Sequence, residues 1–166
     1  MSHSGEQKTK KVRIVPGWRQ YLAQNLLWAV LIVALGITII VLKVSSQVRG
    51  FMLIGFALLI LMQCAEFIRM TAFKWVIDDE QIQRTMGVFS RTTDYVELYR
   101  VTDYIEVQTF LQRIFKVKSL VVVSTDKTDS MMPILGIPEK VDLKEYIRKK
   151  VEYCKQIHNI YEITNR

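Results

Sequence analysis

Two windows without a single Asp, Glu, Lys, Arg or His constrain this chain more than any other feature. The first runs from Gln20 to Leu42, 23 residues, and contains the apolar stretch Leu26 to Leu42. At about 1.5 Å per residue, a helix of that length crosses a hydrocarbon layer about 30 Å thick. The second, Gly50 to Ala65, has 16 residues and is apolar from Phe51 onward. It covers roughly 24 Å. It therefore spans only if the helix runs on through Phe67, Ile68 and Phe73. Glu66 and Arg69 then lie at a polar interface, where their heads reach water. The pair, joined by Lys43 to Gly50, predicts a transmembrane helical hairpin over residues 21–72, with helices about 21–44 and 50–72. The remainder divides into a basic cytoplasmic tail, 1–20, and one small cytoplasmic domain, 73–166.

Charge orients the hairpin. The chain carries 23 Lys and Arg against 16 Asp and Glu, a net charge of +7. All of the excess lies before residue 76; the rest has 14 basic and 14 acidic side chains. A neutral domain argues against nucleic acid as a partner, because a binding domain carries its own basic surface. Lys8, Lys10, Lys11, Arg13 and Arg19 precede the first helix, and Arg69 and Lys74 follow the second, whereas only Lys43 and Arg49 lie in the turn. The bias places both termini in the cytoplasm and the protein in the inner membrane as a multi-pass protein. With both cysteines, Cys64 and Cys154, away from an oxidising compartment, a disulfide is not expected.

Several side chains are candidates for the membrane interface. Lys8, Lys10 and Lys11 belong to a polar, basic start; Val12, Ile14 and Val15 then form a short apolar patch closed by Pro16 and Gly17. Trp18 and Tyr21 flank Arg19, and aromatic rings beside a cation suit the headgroup layer. Glu66 and Arg69, spaced i, i+3, share a helix face and can pair. Gly36 and Gly55 sit at similar depths from the turn and permit close helix approach. No ionisable group falls at mid-membrane, which argues against a proton relay.

After Lys74 the pattern is β. Phe73 to Ile77, Gln81 to Met86, Tyr95 to Leu98 and Val101 to Gln108 alternate as strands, with Asp78-Asp79-Glu80 and Ser90 to Thr93 as turns. Gly87 permits a tight turn or bulge. Leu120 to Ser124 is a continuous apolar run, and Met131 to Leu135 a last short strand. Asp142 and Glu145 have capping-box spacing. Leu143, Ile147, Val151, Cys154 and Ile157 make one helical stripe that must pack on the sheet.

The stretches Val76 to Ile82, Gly87 to Arg91, Val96 to Asp103, Leu111 to Phe115, Leu120 to Ser124 and Gly136 to Pro138 together resemble the bacterial pleckstrin-homology (PH) domain of small membrane proteins. Two membrane helices directly before such a domain are also typical of that family. The resemblance implies a bent antiparallel β-sandwich or partial barrel of seven strands, capped by the C-terminal helix. One departure stands out: where the family usually has a glycine-containing turn after the equivalent of Arg113, this chain has Phe115-Lys116-Val117-Lys118.

No catalytic constellation, metal-ligand spacing or phosphate loop is present, and no cofactor is called for. The sequence therefore describes a membrane-anchored, non-catalytic PH-like module that binds a membrane-protein partner or its own copies. The alternatives are a sensor of anionic lipid headgroups and a small subunit of an oligomeric transport or pore complex. Arg113, Phe115, Lys116 and Lys118 are the candidate contacts for partner or lipid.

Overall fold

The computed structural model describes residues 11–126 and 130–157. Helix α1 (Trp18–Val41) and helix α2 (Ser46–Thr71) are joined by only Leu42 to Ser45. Both are long and apolar enough to cross a membrane. Almost none of either apolar window is buried inside the protein, unlike the core helix of a soluble domain. Helix α2 starts four residues earlier than the expected Gly50, so Arg49 is helical, and it runs past Glu66 to Thr71 as the short uncharged window required. Helix α1 bends at Asn25, whose backbone leaves helical geometry. The Asn25 side-chain amide donates to the Tyr21 carbonyl at 3.2 Å, a polar side chain inserting into the helix ladder at the bend. The bend separates the first turns of α1 from the apolar stretch.

Two antiparallel sheets follow. One has the order β1 (Val12–Ile14), β2 (Lys74–Ile77), β3 (Gln81–Met86), β4 (Thr92–Glu97); the other has β5 (Val101–Val107), β6 (Val117–Ser124), β7 (Met131–Pro138). A 3-10 turn, Leu98–Arg100, links the sheets. A short helix α3 (Phe110–Ile114) lies between β5 and β6, and α4 (Leu143–Ile157) closes the domain. The core is Trp75, Ile77, Ile82, Val96, Leu98, Leu120, Val122, Met132 and Ile134 from the sheets, with Leu143, Ile147, Val151 and Cys154 from α4. The Glu145 N–H donates to Asp142 Oδ1 at 3.1 Å, so the expected cap is formed. Ile157, expected on the buried stripe, is exposed, because the stripe has run past the edge of the sheet.

The seven-strand count is met, but by a strand the sequence reading left in the tail. Val12, Ile14 and their neighbour Arg13 pair with Ile77, Trp75 and Val76. Residues 12–14 are therefore the edge of the first sheet and not part of a detached tail. The hairpin is inserted between the first and second strands of the sandwich.

Two local features shape the surface. Gly87 turns β3 into β4 at φ 108°, and a Cβ there would lie 1.8 Å from the Ser90 carbonyl oxygen, so only glycine fits. In β5 the register against β6 slips between Val101 and Asp103, leaving one extra residue. This bulge reverses the inward phase of the strand. Val101 is buried, but Ile105 and Val107 point outward at 44% and 42% exposure.

Candidate functional site

The domain is mounted on the hairpin at both helix ends. On the α2 side only Ala72 and Phe73 separate helix from strand. On the α1 side, Gln20 is completely buried, at 0% exposure, against α3 and β7. Its Oε1 accepts from Gln112 Nε2 at 3.1 Å, and the same nitrogen donates to Ser119 Oγ at 2.8 Å. The Gln112 Oε1 accepts from the Thr109 N–H at 3.0 Å, while the Gln112 N–H donates back to Thr109 Oγ1, forming a capping box. One amide thus caps α3, holds the base of α1 and fixes β6. Gly136, at φ 74°, completes the seat: a Cβ there would lie 2.8 Å from Pro16 Cα. Neither α3 nor Gln20 was identified from sequence as part of this joint. A five-residue helix is too short for periodicity to reveal, but the Thr109-x-x-Gln112 spacing was a usable signal.

The interface candidates divide. Trp18 is exposed, and the Arg19 guanidinium lies 5.6 Å from its ring centre. Tyr21 instead clasps the hairpin: its hydroxyl donates to the Gln63 carbonyl at 3.2 Å and to the Gln63 side chain, and its ring meets Phe67 edge-on at 5.3 Å. Glu66 and Arg69 pair at 3.2 Å and are both exposed. Lys74 is half-buried in β2, and Arg13 is exposed on β1. Lys11 reaches Asp78 at 2.6 Å, and that hydrogen bond holds the Asp78 carboxyl below its ordinary pKa. Lys8 and Lys10 lie outside the described residues. Gly36 faces the Phe56 ring at 3.4 Å, whereas nothing lies within 4 Å of a Cβ at Gly55. Of the two glycines expected at the helix contact, Gly36 alone is in it.

The acidic turn after β2 is a docking point for α4. Lys150 pairs with Asp79 and lies 5.3 Å from the Tyr146 ring centre, and Cys154 Sγ donates to the Asp79 carbonyl at 2.9 Å. Burial lowers the pKa of the Lys150 ammonium, but its bonds to Asp79 and Tyr146 outweigh this and hold it above its ordinary value. Burial pushes the Cys154 thiol up, and the side chain packs in the core.

The structure separates the segment expected to form one contact patch. Arg113 is exposed on α3 and Phe115 is half-buried at its C-terminus. Lys116 follows in the left-handed region at φ 55°, the conformation a glycine would adopt without cost. Lys118 is largely buried and pairs with Glu106 across the β5–β6 ladder at 3.0 Å. The turn thus places a lysine, not a glycine, in the left-handed region, and Lys118 is taken out of the patch. The exposed surface here joins Arg113 and Lys116 to apolar side chains: Phe110 and Ile114 on α3, with Ile105 and Val107 on the edge strand β5.

A sandwich of four and three strands, capped by a C-terminal helix and carrying an apolar helical hairpin, defines a PH-like domain protein. The chain belongs to the bacterial PH domain family, whose profile matches residues 20–151. No curated protein and no solved structure matches it. PH-like domains are generally non-catalytic binding modules.

Proposed function

We propose that this chain is a membrane-anchored, non-catalytic PH-like module that assembles with a membrane-protein partner, or with its own copies, at the cytoplasmic face of the inner membrane. The hairpin is the anchor. The excess of Lys and Arg flanking its open end, against two in the turn region, supports a cytoplasmic domain with both termini on that side.

The observation that carries the assembly reading is the open edge of β5. Among the described residues its strand partner is β6 alone, which leaves an outer edge on which the Tyr104 N–H is met by Asp103 Oδ1 at 2.7 Å and the remaining backbone groups face outward for pairing. The bulge at its start turns Ile105 and Val107 outward, beside a sequence that continues into the exposed Phe110 and Ile114. Exposed apolar residues on an edge strand suit strand addition by a second polypeptide. A pore subunit receives less support, because the polar groups of the hairpin are used within it: Thr38 donates to the Ala34 carbonyl at 2.8 Å, Gln63 is held by Tyr21, and Glu66 by Arg69.

Photocrosslinking from Ile105 and Val107 in intact membranes tests the reading. A discrete adduct with another polypeptide is expected from these positions and not from exposed Tyr153 on α4. A protein that forms no adduct from β5, and is strictly monomeric in mild detergent, would overturn it.

A further inference from the structure

The loop between β3 and β4 stands against the end of α2 and has two chemically different sides. On one side an apolar groove of about 620 Å³ is lined by Ala65, Ile68, Phe73, Met86, Val88 and Phe89. On the other a second groove, of about 390 Å³, is lined in part by Lys74 and Arg91. At the tip, Phe89 is exposed at 103%, the highest value among the large apolar residues described. Gly87 adopts a conformation that no other residue adopts easily, so this turn of the loop depends on a glycine there.

The position of the loop along α2 gives these groups a common depth. Ala65 is the last residue of the uncharged window, and Arg69, which lines the same groove, lies about 6 Å further along the helix axis. Phe89 therefore lies level with the point where α2 leaves its apolar stretch. The groove continues the exposed apolar surface of α2 onto the domain. The nearby cations are Arg69, already paired with Glu66, and Lys74 and Arg91 on the opposite side of the loop. Apolar tip, flanking cations and interfacial depth match an anionic phospholipid surface.

We propose that the β3–β4 loop is a third membrane contact of this protein: Val88 and Phe89 enter the acyl boundary of the leaflet beside α2, while Lys74 and Arg91 take the phosphates of anionic headgroups. The inference rests on the reading of the hairpin as membrane-spanning. It uses a different surface from the β5 edge and stands whether or not that edge has a partner.

Depth-dependent quenching in lipid nanodiscs of the full chain tests it. In a Cys64→Ala, Cys154→Ala background, Phe89→Cys, Leu58→Cys and Tyr153→Cys each carry one fluorescent label. Lipids bearing a nitroxide near the headgroup or deep in the chain act as quenchers. In phosphatidylglycerol-containing discs the Phe89 label is quenched by the shallow nitroxide about threefold more than the Tyr153 label, which sits on α4 far from the loop. Exchanging phosphatidylglycerol for phosphatidylcholine, or substituting Lys74→Ala with Arg91→Ala, lowers that quenching about twofold or more. A Phe89 label quenched no more than the Tyr153 label, while the Leu58 label responds to the deep nitroxide, overturns the proposal and leaves the spanning hairpin intact. An unquenched Leu58 label overturns both. A Phe89 label shielded in native membranes but not in pure-lipid discs shows protein docking at the loop and also overturns it.

Discussion

Replacing Gln112 with leucine removes an amide at the joint between the hairpin and the domain while keeping most of its volume. Three side-chain hydrogen bonds are lost: from Thr109 N–H, to Gln20 Oε1 and to Ser119 Oγ. At about 1 kcal/mol each these sum to about 3 kcal/mol. The larger effect is on Gln20, which has no exposed surface and whose Nε2 already lacks a partner. Stranding its Oε1 as well adds roughly 1–2 kcal/mol. The expected cost is about 4–5 kcal/mol, a large fraction of the roughly 5–15 kcal/mol that holds a domain folded. At about 4–8 °C per kcal/mol, the midpoint of thermal unfolding falls by at least 15 °C. The measurement is near-ultraviolet circular dichroism of the full chain in detergent, reporting on buried Trp75. Gln20→Leu alone has a small effect, because it removes an orphaned donor together with one hydrogen bond. The double variant, Gln20→Leu with Gln112→Leu, regains about 2 kcal/mol relative to Gln112→Leu, because no polar atom of Gln20 is then stranded. A cost below about 1 kcal/mol for Gln112→Leu, or strict additivity in the double variant, refutes the joint.

Three further outcomes follow from particular geometry. Gly136→Ala puts a Cβ 2.8 Å from Pro16 Cα at a φ of 74°, and lowers stability by about 1–3 kcal/mol in the same unfolding assay. Lys116→Gly relieves a left-handed residue and raises stability by about 0.5–1 kcal/mol; an unchanged or lower melting temperature would contradict the strain at that turn. Asp78 has its folded pKa lowered by Lys11, so its stabilisation is present above the ordinary carboxylate value of about 4 and is lost as pH falls through the lower folded value. The stability gap between the parent and Asp78→Asn is therefore widest near neutral pH and closes in acid, and it narrows in high salt because Lys11 is exposed. A gap that widens in acid would refute the pairing.

The hairpin, most strands of the domain and α4 were legible because each writes its own period or charge pattern over many residues. Helix α2 had to run past Glu66 on length alone, and it does. The parts that escaped are short or depend on distant partners. Three residues of β1 have no meaning as a strand until Trp75 and Ile77 arrive beside them, on the far side of two helices. Gln20 reads as an ordinary polar residue at the start of an apolar window; only Gln112, 92 positions away, makes it a buried joint. The Arg113 to Lys118 cluster looked coherent in sequence, but the left-handed turn at Lys116 and the Glu106 partner of Lys118 divide it. Alternation in β5 was visible, yet one bulge decided which half of it faces water.

The pairing of β1 with β2 also bears on how the protein is made. On the proposed reading of the hairpin as membrane-spanning, the first strand and its partner meet only where the outer flanks of both helices share one side of the membrane. A chain that crossed once would leave β1 and β2 on opposite faces, and the first sheet would keep a bare edge where Val12, Arg13 and Ile14 belong. On that reading, completion of the first sheet requires correct threading of the hairpin, and a wrongly threaded chain keeps an unfinished sheet.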